Sequence, residues 1–143
     1  AAVAHARGEA IVQYLSVTSR SRSELIDITG RVEELVRSSG ISSGICQLFS
    51  LHTTAAITVN ESADPAVRRD IAAFLSRMVP VDAAFAHDEG NSDAHVKTTL
   101  AGVSAALIIE GGKLLLGTWQ AIYFCEFDGP RSRKVAVKIM RDP

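Results

Sequence analysis

Three of the four histidines in this chain sit in two short polar segments, Leu51-His52-Thr53-Thr54 and His87-Asp88-Glu89-Gly90-Asn91-Ser92-Asp93-Ala94-His95; the fourth is His5. Both segments are flanked by apolar or amphipathic stretches. Imidazoles set among hydroxyls, carboxylates and an amide point to a site rather than to core packing. Imidazole is the common metal ligand and the side chain that titrates near neutral pH. Three of them with carboxylates nearby suit a catalytic zinc or related divalent ion with an open coordination position. They equally suit a pocket for a phosphorylated or carboxylated ligand, with histidine as donor and acid. The spacing of His87 and His95 matches no zinc-finger pattern, and a polar surface loop leading into a helix is the competing reading of that segment.

A second group of residues extends the first. Asn60-Glu61-Ser62-Ala63-Asp64 falls where a strand-like run gives way to an amphipathic helix. Asp64 is placed to cap that helix, whereas Glu61 has no evident structural duty and is a ligand or acid–base candidate. Thr53 and Thr54 are either ligand contacts or turn residues. Asp93 is placed to cap a short helix, and Lys97, one turn on, is either solvated or a phosphate contact. Gly117-Thr118-Trp119-Gln120 holds the single tryptophan. Trp119 is a core anchor or the wall of a pocket, and Gln120 offers both donor and acceptor to a substrate. Arg131, Arg133 and Lys134 form a local basic cluster, whose plain reading is a solvated strand entry. A serine-nucleophile elbow, a Walker loop, a dinucleotide fingerprint and zinc-ribbon spacing are all missing, which removes the common hydrolases, kinases and oxidoreductases.

The elements that must position these residues follow from periodicity. Alternation predicts strands over 9–18, 25–28, 44–51, 55–60, 103–109, 113–116, 120–127 and 133–140. Val32, Leu35 and Val36 predict a helix over 30–38 that Gly40 stops. Pro65 suits a first helical turn, Val67, Ile71, Phe74, Leu75 and Met78 share one face, and Pro80 ends that helix. A loop over 81–92 leads to a short helix over 93–101, closed by Gly102. Gly111-Gly112 is a hairpin signal, and Asp128-Gly129-Pro130 turns the chain into its last strand. The expectation is an α+β fold: a mostly antiparallel sheet or sandwich with helices packed on one side.

Composition bounds the partners. At 143 residues one domain is expected, with residues 1–8 as a loosely ordered N-terminal arm. A net charge of −1 gives no electrostatic case for nucleic acid or an anionic membrane. Cys46 and Cys125 fall inside apolar runs, as reduced buried thiols do. The N-terminal residues lack the apolar stretch of a signal peptide, and no run approaches the roughly 20 apolar residues of a membrane span. A cytoplasmic location is therefore expected.

The runs LHTTAAITVNESADPAVRRD, HDEGNSDAHVKTTLAG and GKLLLGTWQAIYFCEFDGPRSRKVAVKIM, in that order, resemble the YjbQ-like family, also called secondary thiamine-phosphate synthases. The resemblance spans residues 9–140. Its most specific pieces are H-T-T, N-E-x-A-D-P, D-A-H and L-G-T-W-Q. It implies a small α+β sandwich assembled as a homotrimer, with a site that could lie between subunits. It further implies a weak thiamine-phosphate synthase activity, joining a pyrimidine pyrophosphate to a thiazole phosphate. By motif, His52, His87 and His95 would hold a divalent metal, zinc or magnesium, or bind phosphate. Glu61, Asp64 and His52 would be catalytic. Thr53, Thr54, Asn60, Lys97, Thr118, Trp119, Gln120 and Arg131 would contact the small phosphorylated substrate. No organic cofactor is expected. The alternatives are a trimeric metal- or metabolite-binding protein without turnover and a metal-dependent hydrolase of small phosphates.

Overall fold

The computed structural model describes residues 11–143. The expected N-terminal arm and the start of the first predicted strand lie outside them. The described residues form β1 (Val12–Thr18), β2 (Glu24–Asp27), α1 (Thr29–Ser39), β3 (Gly44–Ser50), β4 (Ala55–Glu61), α2 (Pro65–Met78), α3 (Ser92–Ala101), β5 (Ser104–Glu110), β6 (Lys113–Leu114), β7 (Gln120–Glu126) and β8 (Ser132–Arg141). Each expected element is present; among the described residues the first strand begins at Val12, against an expected start at residue 9, and the other ends agree to within two residues. The strand expected over 113–116 is shorter, because the chain leaves the ladder toward the Gly117 turn, although Leu115 N–H still donates to Ile108 O. Gly111 and Gly112, at φ 58° and 77°, supply the two left-handed positions that a two-residue hairpin needs.

The strands make two antiparallel sheets, ordered β1-β8-β3-β5-β6 and β2-β7-β4. Alternation along each strand gives every sheet one apolar inner face. Leu15, Val17, Cys46, Leu48, Val135 and Val137 from the larger sheet meet Ala55, Ile57, Ile122 and Phe124 from the smaller. A second cluster lies on the outer face of the smaller sheet. There Ala56, Tyr123, Cys125 and Phe127 are covered by Ala94 of α3 and by the half-buried Ile71 and Leu75 of α2. Both cysteines are free and buried.

The expectation that the helices cover one side holds for α2 and α3 and needs correction for α1. Val32 and Val36 of α1 belong to the core between the sheets, and the helix bridges β6 of one sheet and β7 of the other. The cause is local. Ile28 N–H donates to Ile122 O, and Thr29 Oγ1 accepts from Ile122 N–H, so α1 starts on the smaller sheet and turns its apolar face into the open sandwich edge. Among the described residues no helix is long and apolar enough to cross a membrane.

Candidate functional site at the polar end of the sandwich

The β4–β7 register sorts the candidate residues into two groups. Ala55 lies opposite Glu126 and Glu61 opposite Gln120. His52, Thr53 and Thr54 therefore stand at the end of the smaller sheet that carries Glu126 and the turn into β8. Asn60, Glu61, Asp64, Thr118, Trp119 and Gln120 stand at the other end. Six residues of strand put roughly 20 Å between the ends.

The first end is built around an ion pair inside the sandwich. Glu126 lies in phase with the inward residues of β7, and Arg133 with Val135 and Val137 of β8. The Arg133 guanidinium grips the carboxylate at both oxygens, Nε to Oε1 at 2.8 Å and Nη2 to Oε2 at 2.5 Å, and also donates to Thr54 Oγ1 at 2.9 Å. Ser19 Oγ donates to Glu126 Oε1 at 2.6 Å, and the backbone N–H groups of Phe127 and Asp128 both donate to Oε2 at 3.1 Å. Burial pushes the Glu126 pKa upward. The hydrogen bonds from Arg133, Ser19 and Asp128, with the Arg133 charge, outweigh that and hold the carboxyl below its ordinary value. The reading of Arg133 as part of a solvated strand entry is thus corrected: its side chain is buried, and only Arg131 and Lys134 of that cluster are exposed.

His52 lies on the connection between the sheets, close enough to feel the charges of this pair. Its Nε2 accepts from Lys134 N–H at 2.8 Å, which places the ring proton on Nδ1. Burial lowers its pKa from the ordinary 6.5; Arg133 and Arg131 lower it further, while Glu126 pulls the other way. His52 is therefore neutral at pH 7 and offers a donor at Nδ1.

Beside it a second ionic cluster ties three segments together. Arg22 bridges Asp93 Oδ1 at 3.0 Å and Asp128 Oδ1 at 3.3 Å. Lys97 pairs with Asp93 Oδ2 at 3.1 Å, and Arg131 with Asp128 Oδ2 at 3.0 Å. Asn91 Nδ2 donates to Asp128 Oδ2 at 2.9 Å. Two earlier expectations change here. Lys97 is neither solvated nor free to reach a ligand, since its side chain is 2% exposed and held by Asp93. Asp93 does not cap α3; the N-cap position is Asn91, which makes no side-chain cap bond, and the fully buried Asp93 serves the two cations instead. The turn itself needs glycine at 129, where a Cβ would come within 2.2 Å of Ser21 O.

His87 and His95 stand edge to face with ring centroids 5.6 Å apart, and Glu89 lies 3.5 Å from His87 Nε2. Among the described residues, however, no three histidine, cysteine or acidic side chains gather closely enough to hold a metal ion. His52 already spends Nε2 on Lys134. The described residues of one chain therefore do not bring His52, His87 and His95 together as a metal centre.

At the opposite end Trp119 is 61% exposed, so it is not a core anchor. Its loop is nonetheless fixed. Gly117 N–H donates to Gln120 Oε1 at 2.8 Å, Gln120 N–H returns to Gly117 O at 3.0 Å, and Ser62 N–H donates to Trp119 O at 2.8 Å. Gln120 thus spends its side-chain carbonyl on its own turn. Asp64 caps α2 through Ala66 N–H at 2.9 Å, and Tyr123 Oη donates to Glu61 O at 3.0 Å, leaving the Glu61 carboxylate at the surface.

Ser19, Arg22, Glu126, Asp128 and the role of Arg133 escaped the sequence reading. A signal existed for the central pair. Glu126 interrupts an apolar strand, and Arg133 falls on the apolar phase of its own, so each is a charge where only a partnered charge can be buried.

Two antiparallel sheets, helices α2 and α3 on an outer face and a polar end locked by buried ion pairs define an α+β sandwich. The family described as UPF0047 protein YjbQ-like matches residues 13–142, and the chain belongs to it. A UPF0047 protein of Methanocaldococcus jannaschii is 50% identical over 88% of this chain and 91% of its own length. The UPF0047 protein YugU of Bacillus subtilis is 44% identical over 91% of this chain and 99% of its own. The crystal structure of a YjbQ/UPF0047 family protein from Clostridium acetobutylicum superposes with a TM-score of 0.88 at 52% identity, covering 90% of this chain and 99% of the other. The crystal structure of a YbjQ-like protein from Sulfolobus solfataricus gives a TM-score of 0.89 at 34% identity, over 94% of this chain and 99% of the other.

Proposed function

We propose that this chain binds a small phosphorylated molecule at the polar end of the sandwich, as a homotrimer, and that its reaction is of the thiamine-phosphate synthase type. The observation that carries the ligand class is the placement of charge. Arg22 and Arg131 reach solvent, with side chains 41% and 55% exposed, while their partners Asp93 and Asp128 are 0% and 9% exposed. The anions are inside and the cations face out, so this end presents positive charge in an otherwise near-neutral chain. The neutral His52 adds a hydrogen-bond donor. Such groups favour a bound phosphate and a departing pyrophosphate. In the proposed transfer the thiazole nitrogen forms a bond to the pyrimidine's methylene carbon. The bond from that carbon to the pyrophosphate oxygen breaks, and pyrophosphate leaves with the electron pair.

The separation of the two residue groups supports assembly. Glu61 and Trp119 cannot reach His52 across about 20 Å of their own sheet. A neighbouring copy can bring them there. The outer face of the larger sheet offers a surface for it: Val12, Tyr14, Phe49, Ile108, Leu115 and Met140 are all exposed. Register makes much of this face continuous, with Tyr14 and Phe49 flanking Ala136 in one row and Met140 and Ile108 flanking Ile45 in another. Apolar patches of this kind mark interfaces.

The test is synthesis of thiamine phosphate from the two precursors by the purified wild type, His52→Ala and Arg131→Ala, with folding checked by circular dichroism. The wild type turns over and both variants lose at least about tenfold. Full activity in either variant, or none in the wild type, overturns the transferase reading.

The proximity of His87 and His95 favours a second reading, in which they hold a zinc-type ion completed by a ligand from a neighbouring copy. Elemental analysis of the wild type beside His95→Ala tests it: stoichiometric metal lost in the variant supports it, and metal-free wild type dismisses it.

A further inference from the structure

A cavity of about 540 Å³ lies between α2 and α3 over the outer face of the smaller sheet, and none of Arg22, His52, Glu126, Asp128, Arg131 or Arg133 lines it. Its body is apolar. Leu75 of α2, Leu100 of α3 and Cys125 and Phe127 from the strand and turn below form much of the wall. The Cys125 thiol is pushed up to about 12 by burial and stays uncharged. The packing around the cavity is incomplete. Helix α2 has no fully buried residue, and Phe74, Met78 and Leu100 remain 58%, 50% and 57% exposed at the rim.

The polar part of the lining is small and of one kind. Thr58 and Asn60 are successive outward positions on β4, and Asp70 comes from the second turn of α2. A short connection joins β4 to α2, which keeps the early turns of the helix near the Asn60 end of the strand. Asp70 is the one acidic side chain in the lining, and it makes no ion pair among the described residues. Two of the three arginines of α2 are turned to other partners. Arg68 lies over the Tyr123 ring and donates to Leu25 O, and Arg77 lies over the Phe74 ring. A concave apolar slot with a few polar groups is the usual form of a small-molecule site, and here the charge in it is negative.

We propose that this groove binds a small amphiphilic amine, its ammonium on Asp70 and its hydrocarbon body along Leu75, Leu100 and Phe127. An acid of the same size would meet an unpaired carboxylate, and an alcohol would gain only the neutral hydrogen bonds of Thr58 and Asn60. The groove opens on the outer face of the smaller sheet and shares none of the side chains, Arg22, His52 and Arg131, proposed to meet phosphate.

The experiment is calorimetric titration of the whole chain with n-octylamine, n-octanol and n-octanoate, on the wild type, Asp70→Asn and Leu100→Trp. Both substituted positions are exposed, so the fold tolerates the changes. The wild type binds one octylamine per chain, at least about tenfold more tightly than octanoate. Asp70→Asn removes that preference while keeping octanol binding, and Leu100→Trp, which fills the slot, removes binding of all three. Equal affinity for amine and acid, unchanged binding in Leu100→Trp, or no amine binding overturns the proposal. A fall in oligomer mass on Leu100→Trp also overturns it, because the groove is then occupied by a second copy.

Discussion

Glu126 and Arg133 decide what happens at the polar end, because each is a charge that the fold accepts only with the other. With side chains 0% and 4% exposed, they leave no room for solvent to replace a lost partner. Arg133→Met strands a buried carboxylate and should cost about 3–5 kcal/mol in urea unfolding. The double variant Arg133→Met/Glu126→Leu should recover most of that loss, since an apolar pair of similar volume carries no desolvation penalty. If the double variant is as unstable as the single one, the pair's worth lies in its other hydrogen bonds. His52 makes a different prediction. Its folded pKa lies below the ordinary 6.5, so its contribution to stability is complete above that value and is lost as pH falls through the folded pKa. Protonation also displaces Lys134 N–H from Nε2. Melting temperature should therefore drop between pH 7 and pH 5 more in the wild type than in His52→Gln; equal drops would deny the coupling. Residue types alone marked His52, His87 and His95 as candidates, but not their partners. What pairs with Glu126 is settled by sheet register, which joins residues far apart in sequence.

Elements were more legible than contacts. Strong periodicity and local signals, such as Gly40 at the end of α1 and Asp64 at the start of α2, carry their information within a few residues. The exception is instructive. Helix α1 has an ordinary apolar stripe, and nothing in that stripe says which sheet face it meets. The bonds of Ile28 and Thr29 to Ile122 decide it, and they span the chain. Helix α2 is the element most dependent on local stabilisation. It buries no residue fully, so its cap matters more than it would on a packed helix. Loss of the Asp64 cap should cost about 1 kcal/mol, and Asp64→Ala should speed amide exchange through α2 while leaving β7 unchanged. Uniform acceleration of both would mean that α2 opens only with the whole domain.

At the scale of the whole molecule, the split of the candidate residues is the central fact. One chain holds His52 and Arg131 at one end and Glu61 and Trp119 at the other, a division that no spacing in the sequence reveals because both ends belong to the same pair of strands. Light scattering should give three copies per particle. Tyr14→Glu/Phe49→Glu, which charges the exposed sheet face, should give single chains; an unchanged mass would place the interface elsewhere. The cationic end is the claim on which the functional account rests, and it can be tested without assuming any reaction. Inorganic pyrophosphate is titrated into the wild type and into Arg131→Ala at one fixed low salt concentration. The account predicts saturable binding to the wild type, weakened about tenfold or more by the substitution. No binding to the wild type, or equal affinity in both, would contradict it.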